Sequence, residues 1–210
     1  MNKSIPHMLL ATGNAHKFDE MRSLLRRRLV GLEYELLSGA DFPEVPEPVE
    51  NGGSFEANAL IKATDYARAT GLLTLADDSG LVVDALDGRP GIQSARYAPT
   101  NDDRIQRVLN ELEGVEQEKR TARFICVMAL VTPDGRSITR EGKVEGRITR
   151  NRRGDGGFGY DPIFELTETE FAGKTMAELS ATQKNGLSHR GRALELIASP
   201  IHAALIINSI

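Results

Sequence analysis

One cysteine, Cys126, is all the thiol chemistry this 210-residue chain holds. It excludes an intramolecular disulfide, and no Cys/His cluster has the spacing of a zinc site. Within Ile125-Cys126-Val127-Met128 it reads as a small buried hydrophobe. An excess of basic charge is also lacking. Lys and Arg number 26 against 30 Asp and Glu, a formal net charge of −4. That balance excludes the broad basic surface of a duplex-binding protein, so no nucleic-acid partner is expected. It leaves room for a local group of lysines around one small anion. No stretch approaches about 18 consecutive apolar residues, so no membrane partner or span is expected. Only four or five apolar residues follow Met1-Asn2-Lys3-Ser4-Ile5-Pro6 before Thr12-Gly13-Asn14, too few for a signal peptide. These absences predict a reduced, soluble, cytoplasmic protein. Internal repeats, low-complexity tracts and long linkers are missing, as are P-loop, kinase and G-x-G-x-x-G signatures.

What is present is globular in type, with 40% hydrophobic and 27% charged residues. At about 150 residues per domain, the length predicts one larger domain or two lobes sharing a sheet. It suffices to bury a core without staples. Met8 to Ala11 reads as a strand, followed by a helix from about Asn14 to Val30 with Phe18, Met21, Leu24, Leu25 and Leu29 at helical spacing. A strand over Leu32 to Leu37 and a proline loop lead to a helix capped by Ser54 and ended by Gly71. Leu72 to Ala76 reads as a strand broken by Asp77-Asp78-Ser79-Gly80 and resumed at Leu81-Val82-Val83. Beyond a loop over Gly88 to Pro99 come a helix over Asp102 to Leu112, a hairpin of Thr121 to Thr132 with Ser137 to Ile148, and a helix over Leu187 to Ala198. Ile201 to Ile207 is apolar and of either type. The order predicts an α/β domain with a mixed sheet.

Five places combine residues that chemistry needs, and each has a plain structural alternative. Thr12-Gly13-Asn14-Ala15-His16-Lys17 delivers a strand into a glycine turn and a helix start. Lys17 then adds positive charge where the dipole already disfavours it, a conflict that a bound phosphate reverses. The alternative is a solvated lysine beside an ordinary cap. Asn58 and Lys62 share one helix face at i and i+4, with Glu50 just before that helix, a set suited to a metal–phosphate group or to a plain surface. Asp77 and Asp78 are adjacent acids read at a strand end, where Mg²⁺ is the natural counter-ion and a carboxylate can orient or deprotonate water. The alternative is an acidic turn. Gly156-Gly157-Phe158-Gly159-Tyr160-Asp161-Pro162 frames a ring that either stacks on a base or plugs the core. Lys184 and Ser188-His189-Arg190 again place cations at a helix start. Together these are the parts of a nucleoside triphosphate site.

In order along the chain, the segments Thr12-Gly13-Asn14-x-x-Lys17, Ser54-Phe55-x-x-Asn58-Ala59-x-x-Lys62-Ala63, Ala76-Asp77-Asp78-Ser79-Gly80-Leu81, Pro90-Gly91-x-x-Ser94-Ala95-Arg96-Tyr97, Gly157-Phe158-Gly159-Tyr160-Asp161-Pro162 and Lys184-x-x-x-Ser188-His189-Arg190-Gly191 closely resemble the inosine/xanthosine triphosphate pyrophosphatase family. Position 57 departs from it: the family often has Glu where this chain has Ala57. The resemblance implies a single pyrophosphatase domain over residues 1–210, an elongated two-lobed α/β fold with a mixed sheet flanked by helices, and an active site in the cleft between lobes. It implies hydrolysis of dITP, ITP and XTP to monophosphate and pyrophosphate, with Mg²⁺ as cofactor, by a homodimer whose partner is the small-molecule nucleotide. Thr12, Gly13, Asn14 and Lys17 would grip phosphates, and Lys62 would neutralise more of their charge. Glu50 and Asp78 would hold Mg²⁺. Asp78 would accept the proton of the attacking water, with Asp77 its rival. Phe158 would stack on the base, and Ser79, Gly159, Tyr160, Asp161, Lys184, His189 and Arg190 would complete the pocket. Selection of the base would rest on a donor to its 6-oxo group, such as a backbone N–H or Arg190. A pyrophosphatase for other modified nucleotides and a non-catalytic nucleotide sensor are the alternatives.

Overall fold

The structure, a computed structural model, describes residues 5–168 and 170–207. The start of the stretch read as too short for a signal peptide therefore lies outside the described residues. Six strands form one mixed sheet in the order β2-β1-β3-β4-β5-β6, flanked by helices. The chain runs β1 (His7–Leu10), α1 (Ala15–Arg28), β2 (Glu35–Ser38), α2 (Phe55–Thr70), β3 (Leu73–Val83), α3 (Asn101–Glu111), β4 (Thr121–Val131), β5 (Ser137–Ile148), β6 (Phe164–Leu166), α4 (Ala181–Leu187) and α5 (His189–Ile207). β1 pairs in parallel with both β2 and β3, in the registers Met8↔Leu36 and Met8↔Leu73, while β5 and β6 are antiparallel. Two compact units divide the chain: Met1–Asp78 with Val127–Gly142 and Arg190–Ile210, and Ser79–Cys126 with Lys143–His189.

In the first unit, local sequence sets the ends of both helices. Asn14 caps α1, its side chain accepting from the Lys17 N–H at 3.2 Å, and Arg26, Arg27 and Arg28 fill the last turn, where the dipole favours cations. Ser54 caps α2 by accepting from the Ala57 N–H at 3.1 Å, and Gly71 ends it in the left-handed region at φ 68°. Met8, Leu9 and Leu10 of β1, Met21 and Leu25 of α1 and Ala59 and Ala63 of α2 are all fully buried. Each large aliphatic side chain buried this way contributes about 1.5–3 kcal/mol.

One local expectation gives way here, and one left open is decided. β3 is one unbroken strand through Asp77, Asp78, Ser79 and Gly80, so the two acids lie inside a strand and not at its end. Tertiary context outweighs the turn preference of those four residues, in a strand whose place in the sheet is between β1 and β4. Likewise α5 is a single helix through Pro200, and Ile201 to Ile207 belongs to it. Its buried face, with Leu194, Ile197, Ile201 and Leu205, repeats at helical spacing and holds the helix together across the proline.

The second unit has its own core, with Leu81, Val83, Ile105, Val108, Phe124, Tyr160, Ile163 and Phe164 among its members. Arg120 is 2% exposed yet paired: its guanidinium donates to the carbonyls of Leu112, Ile148 and Thr149 at 2.8–2.9 Å. It ties the end of α3 to the end of β5. Two elements absent from the sequence reading are β6 and α4. The α4 start carries a readable signal in Ser180-x-x-Gln183, where each side chain bonds the other residue's backbone N–H.

Candidate active site

In the first unit, four elements converge on Asp77 and Asp78. β1 ends in the turn Thr12-Gly13-Asn14, with the Ala11 N–H donating to the Leu75 carbonyl at 2.8 Å. Thr12 Oγ1 accepts from the Asn14 N–H at 3.2 Å, so the hydroxyl shapes the turn that opens α1. The first turn of α1 holds no acid, and the Lys17 ammonium reaches Asp77 Oδ2 at 3.1 Å. Arg190, at the start of α5, approaches the same oxygen at 3.4 Å and Glu20 Oε2 at 3.4 Å. Asp77 is 1% exposed and stands between two cations, which balance a charge that burial alone would make costly.

Asp78 has different surroundings. Adjacent strand residues send side chains to opposite faces, which relieves the repulsion that neighbouring carboxylates would otherwise feel. The Asn58 amide donates to Asp78 Oδ2 at 3.0 Å. Burial, the largest influence, pushes the Asp78 carboxyl above the ordinary range; Asn58, Lys62 and Lys17 pull it back, and the charge of Glu50 adds to the rise. Lys62, on α2, donates to the Asp77 carbonyl at 3.0 Å and is ion-paired with Glu50. Burial pulls its ammonium down, but Asp77, Glu50 and Asp78 outweigh burial and raise it, so Lys62 is cationic at neutral pH.

In the second unit, another buried pair organises the glycine loop. Lys184 of α4 and Asp161 meet at 2.7 Å, and both are nearly inaccessible. The same Asp161 oxygen accepts from the Phe158 N–H at 2.8 Å, and the Lys184 ammonium lies 4.6 Å from the Phe158 ring centroid. Gly157 allows this: at φ 72°, a Cβ there would stand 2.1 Å from Asp161 Oδ2. Phe158 is half-buried in this loop, so the core-plug alternative does not describe it. Tyr160 does join the core, and its hydroxyl donates to the Ser94 carbonyl at 2.9 Å. Burial raises its phenol far above the ordinary range. Gly159 has φ 64°, and its carbonyl accepts from Asn101 at 3.3 Å. His189 stacks on Phe124 with centroids 4.8 Å apart, and Ser79 is half-buried on β3.

Of the residues singled out in the sequence, Lys17, Glu50, Lys62, Asp77, Asp78 and Arg190 thus form one linked group in the first unit, with Thr12, Gly13 and Asn14 in the turn beside Lys17. Phe158, Asp161 and Lys184 form another in the second. Glu20 is an addition: one helical turn beyond Lys17, on the same face of α1, it engages Arg190. That i+3 spacing was the only signal for it in the sequence.

A profile of the Ham1 family matches residues 8–199. The dITP/XTP pyrophosphatase of Geobacter sulfurreducens is 50% identical over 193 residues, spanning 90% of this chain and 94% of that one. A protein of the same name from Shouchella clausii is 49% identical over 197 residues, spanning 92% and 96%. Among solved structures, a HAM1 protein from Coxiella burnetii matches with a TM-score of 0.83 at 41% identity, over 95% of this chain and 100% of that one.

Proposed function

The chain belongs to the Ham1 family, and from that premise we propose that it is a nucleoside triphosphate pyrophosphohydrolase acting on deaminated purine nucleotides. It hydrolyses dITP, ITP and XTP to the monophosphate and pyrophosphate, removing them from the nucleotide pool. The observation that carries this reading is the grouping of Lys17, Lys62 and Arg190 around the buried acids of β3. A polyanionic substrate needs such cations, and hydrolysis needs a carboxylate beside them.

Attack at the α-phosphorus brings a nucleophile toward a polyanion. Lys17 and Lys62 offset that repulsion and stabilise the leaving pyrophosphate, each such contact contributing about 2–4 kcal/mol in the transition state. The turn Thr12-Gly13-Asn14 lines the phosphates beside Lys17. Water forms the new P–O bond as the α–β bridging bond breaks, and its proton passes to Asp78. Burial holds the Asp78 carboxyl above the ordinary range, nearer the working pH of a base. Asp77, flanked by Lys17 and Arg190, serves to hold those cations.

The donor set fits Mg²⁺. Glu50 and Asp78 offer hard carboxylate oxygens whose charges act against each other. No group of three or more His, Cys, Asp or Glu residues suited to a metal occurs among the described residues. Mg²⁺ fits that arrangement, since it uses one or two carboxylates plus substrate phosphates rather than a full protein cage. When bound, the cation supplies neutralisation of phosphate charge.

The base is assigned to the second unit's group. Phe158 stacks on it, and Lys184 and Asp161 fix the loop that presents the ring. Gly159 leaves space beside that ring, Tyr160 props the loop from the core, and Ser79 and His189 complete the pocket. Selection of the base rests on a donor to its 6-oxo group, a position where adenine carries an amino group that cannot accept. Homodimeric assembly and a cytoplasmic location complete the proposal, supported by the family resemblance and by a substrate drawn from the free nucleotide pool. No described helix is long and apolar enough to cross a membrane.

A panel of nucleoside triphosphates with Mg²⁺ tests the reading. ITP, dITP and XTP are expected to yield monophosphate and pyrophosphate much faster than ATP, GTP or pyrimidine nucleotides. Equal rates on ATP, or release of orthophosphate, would overturn it.

A further inference from the structure

Asn58 sits in the interior of α2, 1% exposed, on the stripe it shares with Ala59 and Ala63. Asparagine is a poor choice for a buried helix interior on propensity alone, and an apolar residue of the same size would satisfy burial. Its side chain has two polar ends, and each is used. Oδ1 accepts from the Gly52 N–H at 2.8 Å, and Nδ2 donates to Asp78 Oδ2 at 3.0 Å. One turn along α2, Lys62 makes a parallel connection, from Glu50 in the same loop to the Asp77 carbonyl on the same strand. Helix α2 thus bridges the Glu50–Gly52 loop and β3 by two rungs.

The first rung admits few alternatives. Leucine would remove this acceptor from the Gly52 N–H and this donor from Asp78. Aspartate would supply an acceptor and set a second carboxylate against Asp78. Gly52 is equally constrained, since a Cβ there would lie 2.6 Å from Ala57 Cβ and 2.8 Å from Asn58 Oδ1. The loop comes this close to α2 only because position 52 has no side chain.

We propose that Asn58 is a positioning residue that locks the Glu50 loop to Asp78, so that the two carboxylates face one divalent cation in fixed register. This rests on the assignment of Glu50 and Asp78 as the cation's protein ligands. Residues that orient metal ligands typically matter by about 10–100-fold in affinity or activity.

The test uses the full-length enzyme with Asn58→Leu and Gly52→Ala, alongside Glu50→Gln and Asp78→Asn. Mn²⁺ affinity is read by electron paramagnetic resonance with a non-hydrolysable inosine triphosphate analogue, together with kcat, KM and thermal midpoint. In a folded Asn58→Leu protein, Mn²⁺ affinity and kcat are expected to fall about 10–100-fold while KM for ITP changes little. Gly52→Ala, which displaces the rung while leaving residue 58 an asparagine, should move the same quantities in the same direction, and it decides the matter if Asn58→Leu does not fold. Wild-type Mn²⁺ affinity and kcat in a folded variant would overturn the inference. If Glu50→Gln and Asp78→Asn lose Mn²⁺ while the rung variants keep it, only the role of Asn58 falls. If all four keep it, the cation assignment falls as well.

Discussion

Lys17 and Asp77, 60 positions apart in sequence, meet at 3.1 Å, with the lysine partly open to solvent and the acid almost wholly enclosed. The asymmetry divides their roles. Lys17→Ala should raise KM for ITP and lower kcat/KM by about 30–10³-fold, the value of a lost transition-state contact of about 2–4 kcal/mol, and should also lower the melting point, because Asp77 stays buried with one cation fewer. Asp77→Asn instead strips a buried partner from Lys17 and Arg190. A loss of about 3 kcal/mol is expected, near the low end for a broken buried pair because Arg190 keeps Glu20. Thermal melting should show it as a fall of about 6–12 °C for a chain of this size.

Asp78→Asn should behave in the opposite way. Its carboxyl is held above the ordinary range chiefly by burial, so the charged form disfavours the folded state at neutral pH. Replacing it should leave the melting point unchanged or higher. Turnover of ITP should fall by at least about 10²-fold, the contribution of a positioned base, with nucleotide binding retained in an equilibrium assay. Comparable kcat in mutant and wild type would remove Asp78 from its role.

Gly157→Ala tests the base-side group. The new methyl would fall 2.1 Å from Asp161 Oδ2 and would force a left-handed conformation on alanine. The backbone cost is about 1–2 kcal/mol, or about 2–8 °C in melting. Because Asp161 also holds Lys184 and the Phe158 N–H, KM for ITP should rise by more than that loss of stability would suggest. An unchanged KM would detach this loop from substrate binding.

Glu111 provides a pH test remote from the chemistry. Burial pushes its carboxyl up, but bonds from Tyr97 and Arg107 and the charge of Arg89 outweigh burial and hold it below the ordinary range. A depressed folded pKa means the stabilisation is present above the unfolded value near 4.5 and is lost as pH falls through the lower folded value. Glu111→Gln should therefore melt lower at pH 7, by about 2–4 °C for about 1 kcal/mol. The gap to wild type should narrow as pH falls below the unfolded value near 4.5. A gap of constant size throughout that fall would mean that the ionised carboxylate is not its source.

Much of this protein is decided locally and was legible in order along the chain. Asn14 and Ser54 cap helices by bonds to residues three positions on, Gly71 ends α2 because its φ is positive, and the stripes of α1 and α2 repeat at the period that buries them. The residues that the structure gathers around β3 stood out as well, since cations at helix starts and adjacent acids conflict with their local setting; in the fold Lys17 and Arg190 meet Asp77.

What neighbouring residues could not decide was pairing across distance. Asp77-Asp78-Ser79-Gly80 carries turn formers, yet it lies inside the unbroken strand β3, and Pro200 stays helical because the face around it is buried. The partners of Asp77, 60 and 113 positions away, separate it from Asp78 as a holder of cations. Electrostatics and strand pairing act through space, so only the folded chain distinguishes two adjacent acids that the sequence presents as equals.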